Sequence, residues 1–265
     1  MPDVTGPTTI PNLADRIVLI SGGTQGVGLA IARGAVAAGA TVVITGRREQ
    51  VGEQAVADLG EGSASFVRCD VADVQSCRDA VSSTIDRHGR IDGLVNAAGL
   101  TERGTLLDTT PEMFEQHVAI NLRGPFFLMQ AAAQDMIDRG AAGSIVNILT
   151  MSSHGGQPFL APYVATKAGL MGLTRNVAYA HRFDRVRFNG INIGWTDSDG
   201  EDVIQRRFHG AGDDWRERAG ERLPAGRLAA PEDVVALAVL LLSDASGIVT
   251  GSIIDWDQTV PGASD

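Results

Sequence analysis

The feature that most limits what this chain can fold into is an alternation. Short β-branched runs recur along it, each followed by a longer stretch of helical period. Candidate strands are Ile17–Ile20, Thr41–Thr45, Ser65–Arg68, Gly93–Val95, Ser144–Leu149, Arg185–Ile191 and Ser252–Asp255. Between them the spacing predicts helices over Gly26–Ala38, Arg47–Leu59, Val74–His88, Pro111–Arg139, Ala161–His181 and Pro231–Leu242, with Pro111 and Pro231 as first-turn prolines. Strand-helix alternation is the pattern of a parallel sheet wrapped by helices. Uninterrupted apolar runs such as IVLI and TVVI suit strands covered on both faces. The class expected is therefore α/β and doubly wound, with seven parallel strands. No repeat or linker divides the chain, so residues 13–265 read as one domain behind a flexible arm over 1–12. The stretch 195–222 is rich in charge and glycine and lacks a long apolar stripe. Because segments leaving strand C-termini line the ligand crevice of such a sheet, it reads as a substrate lid.

Bulk properties narrow the partners. A formal charge of −10 opposes binding to nucleic acid or an anionic membrane surface. The apolar run Val234–Leu242 is far short of the ~20 residues that span a bilayer. The first dozen residues hold three prolines and no apolar signal core, so no targeting role is expected of them. Cys69 and Cys77 are too few for a disulfide framework, which fits a reducing, cytoplasmic setting. No cysteine or histidine cluster suggests a metal.

Directly after the first strand comes Ser21-Gly22-Gly23-Thr24-Gln25-Gly26-Val27-Gly28, leading into an Ala-rich helix. Glycines here give the backbone its freedom and let it approach a pyrophosphate at a helix N-terminus. A glycine-rich turn alone is a weak signal; its place between strand and helix strengthens it. The tip of the second strand reads Thr45-Gly46-Arg47-Arg48, with no carboxylate to accept from a ribose 2′-hydroxyl. Arg47 is the candidate partner of a 2′-phosphate, with Arg48 beside it, which favours NADP over NAD. The alternative is that both arginines open a solvated helix.

Tyr163 and Lys167 stand four residues apart, one helical turn and ~6 Å of rise on one face. A phenol with pKa about 10 is a poor base at neutral pH, and an adjacent ammonium would lower it. The spacing alone is common. It gains weight from its companions, and with them the chain resembles the short-chain dehydrogenase/reductase superfamily from Leu13 to Asp255. The glycine loop is similar to that family's T-G-x-x-x-G-x-G with Ser21 for Thr; Asn96-Ala97-Ala98-Gly99 is similar to N-N-A-G with Ala97 for the second Asn. Asn121-Leu122-Arg123-Gly124 resembles the segment that holds the family's catalytic Asn, and Asp70-Val71 stands where the family contacts adenine.

The resemblance implies a single Rossmann-type domain and a role for each matching residue. Tyr163 would exchange the proton with the substrate oxygen; Lys167 would lower its pKa and hold the nicotinamide ribose. Asn121 would hold a water that extends the proton path. The residue thirteen before the tyrosine, usually serine, is Thr150 here, with Ser152 as the second choice. Thr150 keeps the hydroxyl, but its β-branch restricts χ1. The cofactor would meet Gly22, Thr24, Gln25, Gly26, Val27, Gly28, Asp70, Val71, Asn96, Ala97 and Gly99. Two departures bear on the pocket. The family's Pro-Gly after the sixth strand is Ile193-Gly194, and its V-D-G-G is Ile254-Asp255-Trp256-Asp257. Ile193 would still offer backbone to the carboxamide, and Ser198 a hydroxyl near the nicotinamide or phosphates.

The expected substrate face carries Thr150, Ser152, His154, Gln157, Tyr163 and Trp195, with Glu201, His209 and Trp215 in the lid. These groups point to a small polar substrate, a sugar or polyol, and the resemblance implies NAD(P)-dependent interconversion of an alcohol and a carbonyl on it. The alternatives are a non-catalytic dinucleotide sensor, or a reductase of an apolar ketone or acyl carrier substrate. The resemblance also implies a homotetramer built on the two longest helices.

Overall fold

The computed structural model describes residues 11–60 and 62–261. Most of the expected arm, residues 1–10, lies outside them. Seven strands, all parallel, form one sheet in the order β3-β2-β1-β4-β5-β6-β7. They are β1 (Ile17–Ser21), β2 (Thr41–Gly46), β3 (Ala64–Arg68), β4 (Gly93–Asn96), β5 (Gly143–Thr150), β6 (Val186–Ile193) and β7 (Ile253–Trp256). The helices are α1 (Gly26–Ala37), α2 (Glu49–Leu59), α3 (Val74–His88), α4 (Pro111–Val118), α5 (Gly124–Asp138), α6 (Ala161–Ala180), α7 (Asp199–His209), α8 (Trp215–Gly220) and α9 (Val235–Leu242).

The apolar runs are continuous because alternate residues serve opposite cores. Val18, Ile20, Val42 and Ile44 pack with Ile31, Ala35 and Val239 from α1 and α9. Leu19, Val43, Leu94 and Phe188 pack with Val81, Leu128, Met136 and Leu170 from α3, α5 and α6. The order reverses at β1, which pairs with β2 on one side and β4 on the other. In sheets of this kind ligands bind beyond the strand ends at such a switch point, which here is marked by Ser21 at the end of β1 and its register partner Asn96 at the end of β4.

Two expectations need correction. The helix expected over Pro111–Arg139 is interrupted by a π-helical turn at Ala119–Arg123, closed by a bond from Gly124 N–H to the Ala119 carbonyl. Its cause is tertiary: the Asn121 side chain is clamped to both backbone groups of Leu100, accepting at 2.8 Å and donating at 2.9 Å. Single π turns of this kind concentrate at functional sites. The stretch Pro231–Leu242 begins with a 3-10 turn, Pro231–Val234, and only then becomes the helix α9. Among the described residues no helix is long and apolar enough to cross a membrane.

Residues 195–222 hold α7 and α8. Ser198 caps α7, its hydroxyl accepting from the Glu201 N–H. Trp215, Ala219 and Leu228 form a small core of their own. Around it, Asp202 accepts from Trp215 Nε1 and pairs with Arg206 and Arg216, which together hold its carboxyl down to about 2.

Candidate active site

Apart from Tyr163 and Lys167, which lie on α6, the sequence-predicted cofactor residues lie at or just beyond the C-terminal ends of strands. Gly22, Thr24, Gln25, Gly26, Val27 and Gly28 follow β1; Arg47 and Arg48 follow β2; Asp70 and Val71 follow β3; Asn96, Ala97 and Gly99 end or follow β4; Ile193 and Ser198 end or follow β6. The turn is built from close backbone approaches. Gly22 has φ +74°, and a Cβ there would meet the Ala98 backbone N at 2.6 Å. A Cβ on Gly28 would stand 2.2 Å from the Gly22 carbonyl oxygen. Gly26 differs: a Cβ there would find only Ser198 Cβ, at 3.9 Å. The loop is thus packed on its sheet side and open toward the crevice and Ser198, a cradle that fits a dinucleotide pyrophosphate.

The second strand's tip holds a difference from expectation. Arg48, rather than Arg47, reaches the glycine loop, donating to the Gln25 side-chain oxygen. Both arginines lie at the end of β2 and are exposed. Asp70 accepts from the Ala72 N–H with one carboxylate oxygen, at 3.1 Å. Asn96 is turned into the sheet, donating to Asn147 Oδ1 at 2.8 Å, and its own Oδ1 is buried without a partner.

Tyr163 and Lys167 project from the first turns of α6, and both are buried. Lys167 Nζ donates to the Ile148 carbonyl at 2.8 Å and lies 6.0 Å from the Tyr163 ring centre. Burial of the ammonium lowers Lys167 to about 8. Burial also dominates at Tyr163 and pushes the phenol up to about 12, partly offset by the Thr150 hydroxyl. This is the reverse of the lowering that the spacing implied. At neutral pH the pair holds a phenol that can donate a proton to a carbonyl oxygen. A Cβ on Gly99 would stand 3.7 Å from Asn121 Oδ1 and 3.8 Å from Lys167 Nζ, so both polar atoms converge on that turn. Asn121 also donates to Thr166 Oγ1 at 3.3 Å, tying the π turn to α6.

Thr150 ends β5 opposite Ile193. Its hydroxyl accepts from the Ser152 N–H and donates to Ser152 Oγ, both at 3.2 Å. Ser152 in turn donates to the Gln157 side-chain oxygen. Thr150, Ser152 and Gln157 therefore form one chain of hydroxyl and amide groups leading away from Tyr163. His154 is drawn elsewhere: its Nε2 lies 3.1 Å from Asp255 Oδ1, an oxygen that also accepts from Asn192 Nδ2 at 2.7 Å. Trp195 stacks on Trp215 with 6.1 Å between ring centres and donates from Nε1 to Glu201 Oε1 at 2.9 Å.

One residue escaped the sequence reading altogether. Arg103, in the loop after β4, pairs with Glu201 of α7 at 3.3 Å, and both charges act on Tyr163. The signal that could have found it is the rule already applied to the lid: loops leaving strand C-termini line the crevice.

The chain is similar to known proteins over most of its length. Residues 22–259 match a family model described as enoyl-(acyl carrier protein) reductase. L-rhamnose 1-dehydrogenase (NAD(P)(+)) of Azotobacter vinelandii is 34% identical over 248 residues, 91% of this chain and 94% of that one. A 2,5-dichloro-2,5-cyclohexadiene-1,4-diol dehydrogenase of Sphingobium indicum is 33% identical, covering 93% of this chain and 97% of its own. Among solved structures, one from Beutenbergia cavernae, provisionally assigned as an NAD(P)-dependent gluconate 5-dehydrogenase with bound NADP, superposes with a TM-score of 0.85. It is 31% identical and covers 94% of this chain and 98% of its own.

Proposed function

The chain belongs to the short-chain dehydrogenase/reductase superfamily, and on that premise we propose that it interconverts an alcohol and a carbonyl on a small sugar or polyol, with Tyr163 as the acid and base. The reaction class is that of its relatives, NAD(P)-dependent oxidoreductases acting on CH–OH groups. A bound nicotinamide supplies the hydride donor or acceptor. The observation that carries the finer reading is the Thr150–Tyr163–Lys167 group at the end of β5, flanked by hydroxyl, amide and charged side chains rather than an apolar wall. In reduction the Tyr163 phenol gives its proton to the nascent alkoxide while Thr150 keeps its own proton and hydrogen-bonds the same oxygen; in oxidation the Tyr163 phenolate takes the proton back from the alcohol. Lys167 holds positive charge behind the phenol and is placed to meet the ribose. Asn121 fixes the π turn and would hold the water that extends the proton path from Lys167. The family model's description raises acyl carrier substrates; the charged and hydroxyl-bearing wall weighs against them.

NADP is favoured over NAD because two guanidiniums and no carboxylate stand at the end of β2. Assembly as a homotetramer through the α4–α5 and α6 faces is part of the proposal, supported by Phe114 and Phe126, which stay partly exposed there; a monomeric mass by light scattering would contradict it. The domain is read as spanning 13–265, with 195–222 as its lid, in a reducing cytoplasm suited to its two free cysteines. The functional test is nicotinamide absorbance with NADP⁺ and NAD⁺ over a panel of aldoses, polyols, sugar acids and apolar alcohols. Turnover confined to apolar alcohols or acyl substrates would overturn the sugar reading. Saturable cofactor binding with no turnover on the whole panel would favour a sensor.

A further inference from the structure

The charges that reach Tyr163 from the lid side come from Arg103 and Glu201. Arg103 is firmly placed. The loop that carries it is fastened to the start of α6 by Gly104 N–H to the Phe159 carbonyl and Ala161 N–H to the Gly104 carbonyl. Its guanidinium lies 5.6 Å from the Phe159 ring centre and donates to the Thr101 carbonyl and to His209 Nε2. One further N–H faces Glu201, and both side chains are nearly buried, at 11% and 13% exposure.

Glu201 is held as tightly. Its Oε1 accepts from Arg103 Nη2 at 3.3 Å, Trp195 Nε1 at 2.9 Å and Gln205 Nε2 at 2.7 Å. The next cation on the same edge is paired too: Arg207 of α7 stands 3.6 Å from Glu102. His209 adds no second positive charge, since burial and the Arg103 guanidinium hold its pKa below the ordinary histidine value. The pocket wall beside Tyr163 is therefore polar yet already neutralised.

That arrangement separates two substrate classes that sugar dehydrogenases could take. A sugar acid offers a carboxylate, whose natural partner here is Arg103. To reach it, the carboxylate must displace Glu201 from three donors or lie beside it. Like charges in a water-poor pocket repel strongly. A neutral sugar meets no such conflict. Among the described residues no donor reaches Glu201 Oε2, which can accept from a sugar hydroxyl.

Resting on the sugar or polyol reading above, we propose that the Arg103–Glu201 pair makes this enzyme selective for uncharged sugars and polyols and excludes aldonic and uronic acids. Glu201 sets the exclusion, and Arg103 is the cation it masks.

The test compares kcat/KM of the cofactor-saturated enzyme for L-rhamnose and a hexitol with that for D-gluconate and D-galacturonate. Wild type is expected to favour the neutral class by about tenfold or more, the scale set by like-charge juxtaposition. Glu201→Gln keeps the shape and an acceptor for Trp195 and Gln205 while removing the charge. It is expected to shift the ratio toward the acids by roughly tenfold. Arg103→Gln leaves Glu201 unmasked and is expected to deepen the discrimination. A wild type that prefers the acids would overturn the proposal, as would a folded, cofactor-binding Glu201→Gln whose ratio stays at the wild-type value. Turnover of neither class fails the sugar reading itself, and this inference with it; preference for the acids fails the inference alone.

Discussion

The crevice has one wall made of backbone and another made of side chains. On the cofactor side, the glycine loop is fixed by contacts that allow no substituent: Gly22 against Ala98, Gly28 against Gly22. On the lid side, α7 is joined to the body by Arg103–Glu201 and Glu102–Arg207, and to α8 by Asp202 with Trp215 and Arg216. Backbone packing recognises what all dinucleotides share, and it fails abruptly when altered. Charged pairs distinguish one substrate from another, and they can be tuned by a single atom. Under the proposed function the first wall would serve the reaction class, the second the choice of substrate.

Breaking the backbone wall is expected to have the largest effect. Gly28→Val would drive a branched side chain into the Gly22 carbonyl, costing about 2 kcal/mol of stability from overpacking alone. Cofactor affinity should fall below detection in a calorimetric titration. If Gly28→Val bound cofactor normally, the loop would not be the cradle described.

Lys167 sharpens the comparison because it stands between the walls. Lys167→Met is expected to reduce turnover by roughly a hundredfold or more, within the range for acid-base machinery. Stability should respond in the opposite direction near pH 7. The folded protein sheds this proton near pH 8, whereas the unfolded chain sheds it near 10.5. Between those values the unfolded state binds more protons, so unfolding free energy rises with pH across that window and the burial penalty is fully present below it. Replacement by Met should gain on the order of 1 kcal/mol at pH 7, after the Ile148 carbonyl loses its donor. Denaturant titrations from pH 7 to 10 would show that slope in wild type and not in the variant. A wild-type profile flat over pH 8–10 would contradict it.

The phenol gives a gentler effect. With Tyr163 raised to about 12, oxidation should quicken as pH rises from neutral, while reduction should not. Initial rates in both directions would read this; an oxidation rate that fell over pH 7–9 would argue against phenolate as the base. Smallest of all is the effect at the solvent edge. Arg48→Ala and Arg47→Ala should each lower NADP⁺ affinity by about tenfold, the scale of one charge-assisted phosphate contact, and barely touch NAD⁺. Parallel titrations would rank the two arginines, and an unaltered NADP⁺ preference in both would remove the basis for favouring it.

The backbone wall was largely legible in the sequence. The spacing of glycines and strands placed Gly22–Gly28 at the end of β1, because local chemistry dictates both. The π turn was not legible, since it arises from Asn121 reaching Leu100 across the fold. The side-chain wall was legible in part. Trp195 and Glu201 were placed on the substrate face from their position after β6, but the identity of Glu201's partner depends on how α7 folds back on the loop after β4. His154 shows the same limit: only the β6–β7 register brings Asn192 and Asp255 to it. The direction of the Tyr163 shift also lay beyond the sequence, because spacing reports the nearby ammonium and not the depth of burial.

The central claim is that Tyr163 performs proton transfer on a sugar or polyol hydroxyl while the rest of the site only binds and positions. Its most direct test is Tyr163→Phe, with calorimetric cofactor titration and initial rates on the best neutral substrate measured on the same preparation. Cofactor affinity is expected to stay at the wild-type value while kcat falls by about a thousandfold or more. A folded Tyr163→Phe that still turned over within tenfold of wild type would contradict the account.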